Sequence, residues 1–301
     1  MIFSIFLLFC SAVCGTVFTI LNSRCAKDGA NFNIVQGQNA GAMFLFSLLM
    51  AFFLHQYPDS LKNALIVIAV HSLAGIFSFI SLVFMATAMK TGHNGITAAI
   101  VNASLIFPCV TGVLFMGEVV NAGVIAALTL ILTGIAVIGF EKPSSPTEKI
   151  SKRSWFISVS MALLCAGISG CLNIVLSYFP EIQAQPIFRT AGNCLGGFCC
   201  YLLSINMIPR LGMRRRTSRR EAVYILIAFL SCTISCYVFT YNAYDRLAAL
   251  KRAGIALPLI VGFSTVIFMM YSIFFNREKT SISDWIGFGC IMGGLVLIVS
   301  C

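Results

Sequence analysis

Residues 103–140, ASLIFPCVTGVLFMGEVVNAGVIAALTLILTGIAVIGF, contain two long apolar runs separated by one acidic residue, Glu118. The charge-free stretches on either side, 91–117 and 119–140, are each about as long as the roughly 17–25 residues that a helix needs to cross a bilayer. Neither run alternates apolar and polar residues, as a membrane-spanning strand would over about ten residues. The segment therefore predicts two transmembrane helices joined by a tight turn at Glu118.

The same pattern extends along the whole chain. Hydrophobic residues make up 59% of the 301 residues and charged residues 10%, and the mean hydropathy is +0.94, whereas a soluble domain is about 25% charged. This composition excludes a soluble globular protein, because so few charges cannot cover its surface. We predict an all-α integral membrane protein with ten transmembrane helices, the first retained and not cleaved. The ten apolar stretches are 1–23, 29–58, 63–89, 91–117, 119–140, 154–180, 190–209, 222–244, 253–276 and 285–301.

A duplication relates the two halves of the chain. Shifting the sequence by 160 residues places Glu118 on Glu278 and Gly134 on Gly294 without a gap. We predict a first five-helix repeat at 1–140, a linker at 141–153 and a second five-helix repeat at 154–301. Because five helices cross the membrane an odd number of times, the second repeat is inverted. Inverted repeats are the architecture of alternating-access transporters, with the substrate at the repeat interface.

Residues 103–140 and 263–300 resemble the last two helices of each repeat in the EamA-like family of the drug/metabolite transporter superfamily. The resemblance includes the Gly-Glu turn at Gly117-Glu118, which Arg277-Glu278 replaces in the second half. It implies a carrier of small metabolites whose substrate lies between helices three, four, eight and nine. The family also tends to carry an arginine early in the second helix of each repeat. Arg189 matches that position, whereas the first half has Gln38 there.

The seventh helix is predicted to begin near Ala184, before its charge-free stretch, so Arg189 is the one basic residue predicted inside a transmembrane helix. It either binds an anionic or carboxylate-bearing substrate, or it extends to the membrane interface or caps a helix. The acidic residues fall at helix ends or in the linker, which disfavours an exporter of cationic drugs. We expect a neutral or zwitterionic polar substrate, amino-acid-like or nucleobase-like. The candidate substrate-binding residues are Arg189, Gln38, Ser78, Asn102, Tyr241 and His71.

Glu118 and Glu278 occupy equivalent turns between the last two helices of each repeat. A carboxylate there can accept hydrogen bonds from the exposed N–H groups of the following helix. We therefore predict a structural and not a substrate-binding role for both residues.

Several classes of function lack their sequence signatures. The thirteen cysteines show no paired CxxC spacing of the kind that metal sites use, and no nucleotide-binding loop is present. We therefore expect no metal, no cofactor and no catalytic residues. We also expect no nucleic-acid partner, because the net charge of +10 is concentrated in loops beside membrane lipids.

The sequence thus favours a secondary transporter of small polar metabolites in the inner or plasma membrane. A lipid-modifying membrane enzyme and a non-transporting accessory protein stay open as alternatives. The positive-inside rule places both termini outside the cytoplasm, whereas the resembled family has both termini in the cytoplasm. Basic residues in loops after odd-numbered helices outnumber those after even-numbered helices by fifteen to four.

Overall fold

Long charge-free runs fold as helices because every backbone N–H and C=O then has a partner within its own segment. The computed structural model describes residues 1–28, 30–55, 60–89, 97, 100–140, 152–182, 184–207, 216–275 and 281–300, and these contain helices and no strand. The helices are α1 Ile2–Lys27, α2 Phe32–Phe53, α3 Leu61–Met89, α4 Ile106–Met116, α5 Ala122–Phe140, α6 Lys152–Val175, α7 Pro186–Met207, α8 Arg219–Ala249, α9 Ala256–Phe274 and α10 Ile282–Ser300.

Seven of the described helices are long and apolar enough to cross a membrane, namely α1, α2, α3, α6, α8, α9 and α10. The described parts of α4 and α5 are apolar but shorter. Large hydrophobic side chains such as Phe53, Phe115 and Phe275 are exposed, as expected of a surface that faces lipid. The chain thus has the features of a membrane-embedded, multi-pass helical protein, and the prediction of long apolar spans is confirmed at that level.

Helix α8 extends further than the sequence predicted. It continues to Ala249, beyond the predicted end of the apolar stretch at residue 244. Its middle is a π-helical segment, Ser235–Thr240, where Ser235 and Thr240 both hydrogen-bond to Ser11 of α1, at 3.1 and 2.7 Å. The extension carries Asp245 as part of the helix, which matters for the site below.

The two halves of the chain pack against each other through many helix pairs. Helix α5 packs on α10, α3 packs on α6 and α7, and α2 packs on α7. Helix α1 packs on α9 and α8, α2 also packs on α8, and α4 packs on α6. The main hydrophobic core lies between the halves, since it joins Leu8 of α1 and Ile131 of α5 to Leu247 of α8 and Ile291 of α10.

Glycines bring α5 and α10 into backbone contact. A Cβ added at Gly134 would lie 2.5 Å from the Gly287 carbonyl oxygen and 2.6 Å from Ile291 Cγ1. A Cβ added at Gly294 would lie 2.7 Å from both the Ala127 carbonyl oxygen and Ile131 Cγ1. Backbone atoms cannot move aside as a flexible side chain can, so these positions require glycine for the helices to approach this closely.

We therefore expect Gly134→Ala to lower the free energy of unfolding by about 1–3 kcal/mol, the usual cost of overfilling a packed interface. Gly293→Ala is the matched control, because a Cβ there meets no atom within 4 Å and alanine favours a helix over glycine. Thermal unfolding of both variants in detergent measures the difference. Equal melting temperatures for the two would show that α5 and α10 are not held this closely.

Candidate functional site

Arg189 is buried at the start of α7, in the second half of the chain. Its side chain is bonded on two sides: Nη1 donates to Ser177 Oγ at 2.8 Å and Nη2 donates to Asp245 Oδ1 at 2.7 Å. Its guanidinium carbon also lies 5.4 Å from the centre of the Tyr241 ring. The residue is 2% exposed, so its guanidinium is held by protein groups, and whether it also binds a substrate stays a prediction.

Asp245 is the counter-ion of Arg189, a pairing that the sequence did not predict. The sequence placed Asp245 at the end of the eighth helix, whereas α8 continues beyond it to Ala249 and places its carboxylate against Arg189. The side chain of Arg189 is 3% exposed and that of Asp245 is 41% exposed. The site therefore holds a cation in the interior and its counter-ion at the edge of solvent.

His71 and Tyr241 lie beneath this ion pair. The His71 ring packs edge-on against the Tyr241 ring with centroids 5.6 Å apart. His71 Nδ1 lies 3.0 Å from the Val67 carbonyl oxygen, and its buried Nε2 makes no hydrogen bond to any described residue. Tyr241 donates to Asn173 Oδ1 at 3.3 Å. Arg189, His71, Tyr241 and Asn173 are called the central cluster below, and three of the six predicted candidates belong to it.

A cleft with a volume of about 700 Å³ leads from the protein surface to Arg189. It is formed where α6 ends, α7 begins and α8 ends, and we call this end of the bundle the cleft face. Most of its wall is apolar, and its polar groups are few. The lining residues include Leu176, Ser177, Phe179, Gln185, Arg189, Asp245, Ala248 and Lys251.

The other three candidates are placed differently. Gln38 exchanges hydrogen bonds with Thr217, at 2.8 and 3.1 Å, just before α8 begins and far from the cleft. Ser78 is partly exposed and follows His71 by about 10 Å along α3 at 1.5 Å per residue. Asn102 is partly exposed and precedes a 3-10 turn, Ala103–Leu105, without capping it. For Ser78 and Asn102 a role in binding stays a prediction.

The opposite end of the bundle, where α2 and α8 begin, is closed by polar contacts between the two halves, and we call it the latch face. Glu221 is completely buried; its Oε1 accepts from the Asn31 N–H at 2.7 Å and its Oε2 from the Ser218 N–H at 2.8 Å. Tyr224 also donates to Asp28. The sequence analysis did not single out Glu221, although Ser218-x-x-Glu221 is the pattern of a capping box.

Glu118 has a different partner from the one expected. The following helix, α5, is capped by Asn121, whose Oδ1 accepts from the Val124 N–H at 2.9 Å. Glu118 is 6% exposed and accepts from the Gly254 N–H at 2.9 Å and from the Tyr178 hydroxyl. It thus joins the two halves at the cleft face instead of capping its own helix. Glu278 lies outside the described residues.

No group of three or more His, Cys, Asp or Glu residues in the described part of the chain is placed to hold a metal ion. The polar groups of the site are one ion pair and the hydrogen-bonding side chains around it.

Comparison with known proteins supports the fold. No family model matches the chain, and no match was found among curated proteins. Eighteen chains of solved structures match it. One of them, a crystal structure, is 13% identical with a TM-score of 0.72, over 99% of this chain and 96% of that chain. At this identity the likeness concerns the helical arrangement alone.

Proposed function

We propose that this protein is a secondary transporter that carries small polar metabolites across a membrane by alternating access. The observation that carries the proposal is the position of Arg189, a buried cation whose Nε–H has no partner among the described residues and which lines the cleft at the cleft face. A polar group without a partner is costly inside a membrane protein and marks a functional position by default.

The asymmetry between the two faces supports a carrier mechanism. Asp245 at the cleft face and Glu221 at the latch face lie 24 residues apart on α8, which corresponds to about 36 Å at 1.5 Å per residue. His71 is ten residues into α3, about 15 Å along the helix, so the central cluster lies between the faces. A site that is open at one end and closed at the other has the geometry of one state in an alternating-access cycle.

The helix packing supports the proposed inverted repeat with ten transmembrane helices. If α1–α5 correspond to α6–α10, each contact between the halves should recur with the roles exchanged. The contact of α1 with α9 then corresponds to that of α6 with α4. The contacts of α3 with α6 and α7 correspond to those of α8 with α1 and α2. All six of these helix pairs are in contact. The contact of Gly134 with Gly287 likewise corresponds to that of Gly294 with Ala127, at the shift of 160 residues found in the sequence.

We further propose a place in the inner or plasma membrane and an EamA-like, drug/metabolite transporter type of carrier. On the charge bias of the loops the latch face is cytoplasmic. The cleft then opens to the outside in this conformation, and both termini lie outside the cytoplasm.

Reconstituted protein tests the transport function directly. Proteoliposomes receive a mixture of amino acids and nucleobases, and the internal concentration of each solute is followed by mass spectrometry. A carrier should accumulate at least one solute above the level in protein-free vesicles, and unlabelled substrate inside should accelerate the uptake of labelled substrate. Uptake without such acceleration would indicate a pore, and no uptake would favour the accessory-protein alternative.

A further inference from the structure

The guanidinium of Arg189 offers a donor that the protein does not use. Its Nε–H is buried and has no hydrogen-bond partner among the described residues. Nε and Nη2 lie on one edge of the guanidinium, the edge that a carboxylate contacts with both of its oxygens. Asp245 contacts Nη2 alone, through Oδ1 at 2.7 Å. Half of this edge is therefore free in the present structure.

Two acceptors face the same cleft. The Asp245 side chain is 41% exposed, so its carboxylate can accept from a ligand as well as from Arg189. The Gln185 side-chain oxygen is buried and has no partner among the described residues. Both residues line the cleft together with Arg189. The residues lining the cleft thus include an unused donor, the Arg189 Nε–H, an unused acceptor, the Gln185 side-chain oxygen, and a partly exposed anion, Asp245.

We propose that this site binds a zwitterion of the α-amino acid type by exchanging the Arg189–Asp245 ion pair for two new ones. The ligand carboxylate accepts hydrogen bonds from Nε and Nη2 of Arg189. The ligand ammonium, which is attached to the carbon next to that carboxylate, donates to the Asp245 carboxylate and to the Gln185 side-chain oxygen. The inference rests on the proposed transport function and narrows its substrate class, since a nucleobase carries no such pair of charges.

Charge balance explains why a zwitterion fits better than an ion. A ligand with only a carboxylate would displace Asp245 from Arg189 and leave that anion without a partner. A ligand with only an ammonium would leave the free donor of Arg189 unused. Leaving a partly buried charge unpaired is costly, whereas the zwitterion pairs both charges. The exposed Lys251 at the cleft wall adds one positive charge, so a simple anion is the competitor that the test must include.

The remaining wall of the cleft predicts the side chain of the ligand. Leu176, Phe179 and Ala248 line it, and their surfaces favour an aliphatic or aromatic group over a polar one. Leucine is therefore the probe, and its analogues 4-methylpentanoate and 3-methylbutylamine each lack one of its two charges.

Binding of the three compounds to purified protein tests the proposal. We expect leucine to bind at least tenfold more tightly than either analogue. Asp245→Asn should weaken leucine binding at least tenfold and should bring leucine and 4-methylpentanoate close to equal affinity, because the neutral amide no longer needs an ammonium partner. Glu181→Gln is the matched control, since this exposed acid lies on the neighbouring 3-10 turn, Pro180–Ile182, and should leave all three affinities unchanged.

The outcomes separate this inference from the transport function. Equal binding of leucine and either analogue by the native protein would overturn the zwitterion site. Selective uptake of uracil or hypoxanthine from a mixture with the twenty proteinogenic amino acids would overturn it too, while leaving the transport function intact. If no solute of either class binds or moves, both proposals fail.

Discussion

Replacing Arg189 with glutamine should weaken substrate binding by about 2–5 kcal/mol, the range for removing one partner of a buried charge pair. This corresponds to a rise in Kd of about 30- to 5,000-fold. The substitution removes the two Nη donors that hold Ser177 and Asp245 and the free Nε–H that the ligand is proposed to use. It also leaves the Asp245 carboxylate without its cation.

Arg246→Gln is the control, because it makes the same chemical change at the neighbouring residue. Arg246 is exposed and its guanidinium lies over the Phe3 ring, 4.8 Å from the ring centre. Equilibrium binding of the solute that the uptake assay identifies should therefore be unaffected in this variant. An unchanged Kd in folded Arg189→Gln protein would show that Arg189 stabilises the helix packing and does not contact the substrate.

Replacing Glu221 with alanine should open the latch face and expose the Cys25 thiol behind it. Cys25 is completely buried. Its burial, and secondarily the negative charge of Glu221, raise the pKa of the thiol to about 11, so little reactive thiolate is present at neutral pH. Without Glu221 the Asn31 N–H loses its acceptor, and water that enters the opened face lowers the pKa toward its usual value. We expect Cys25 to react with a maleimide at least tenfold faster.

The measurement uses protein in which Cys25 is the single cysteine, with the other twelve of the thirteen replaced. Asp284→Ala is the control, because Asp284 is buried and forms a similar capping box with Ser281 at the start of α10. A second single-cysteine protein with Cys109, buried near Glu118 at the cleft face, detects general unfolding. Unchanged Cys25 reactivity, or an equal rise at Cys109, would contradict a latch at Glu221.

Glu118 and Glu221, the two carboxylates that join the halves, show what local sequence patterns can predict and what they cannot. The tight turn at Glu118 was predictable, because it is the one charge between two long apolar runs. Its partners were not, because Gly254 is 136 residues away in the chain, and the expected cap of α5 is made by Asn121 instead. At Glu221 the capping box could be recognised in the sequence, but the bond to Asn31 could not.

The sequence by itself determined that this is a helical membrane protein and which stretches form its long apolar helices. It did so because lipid exposure imposes the same requirement on every residue of a span, whatever its neighbours. It also pointed to Arg189, His71 and Tyr241, because polar groups are expensive in hydrocarbon wherever they occur. The tertiary structure alone decided that Asp245 neutralises Arg189 and that Glu221 closes the opposite face. Arg189 and Asp245 are 56 residues apart in the chain, and Asn31 and Glu221 are 190 apart. The members of each pair meet only because the rotation and crossing of packed helices bring them together.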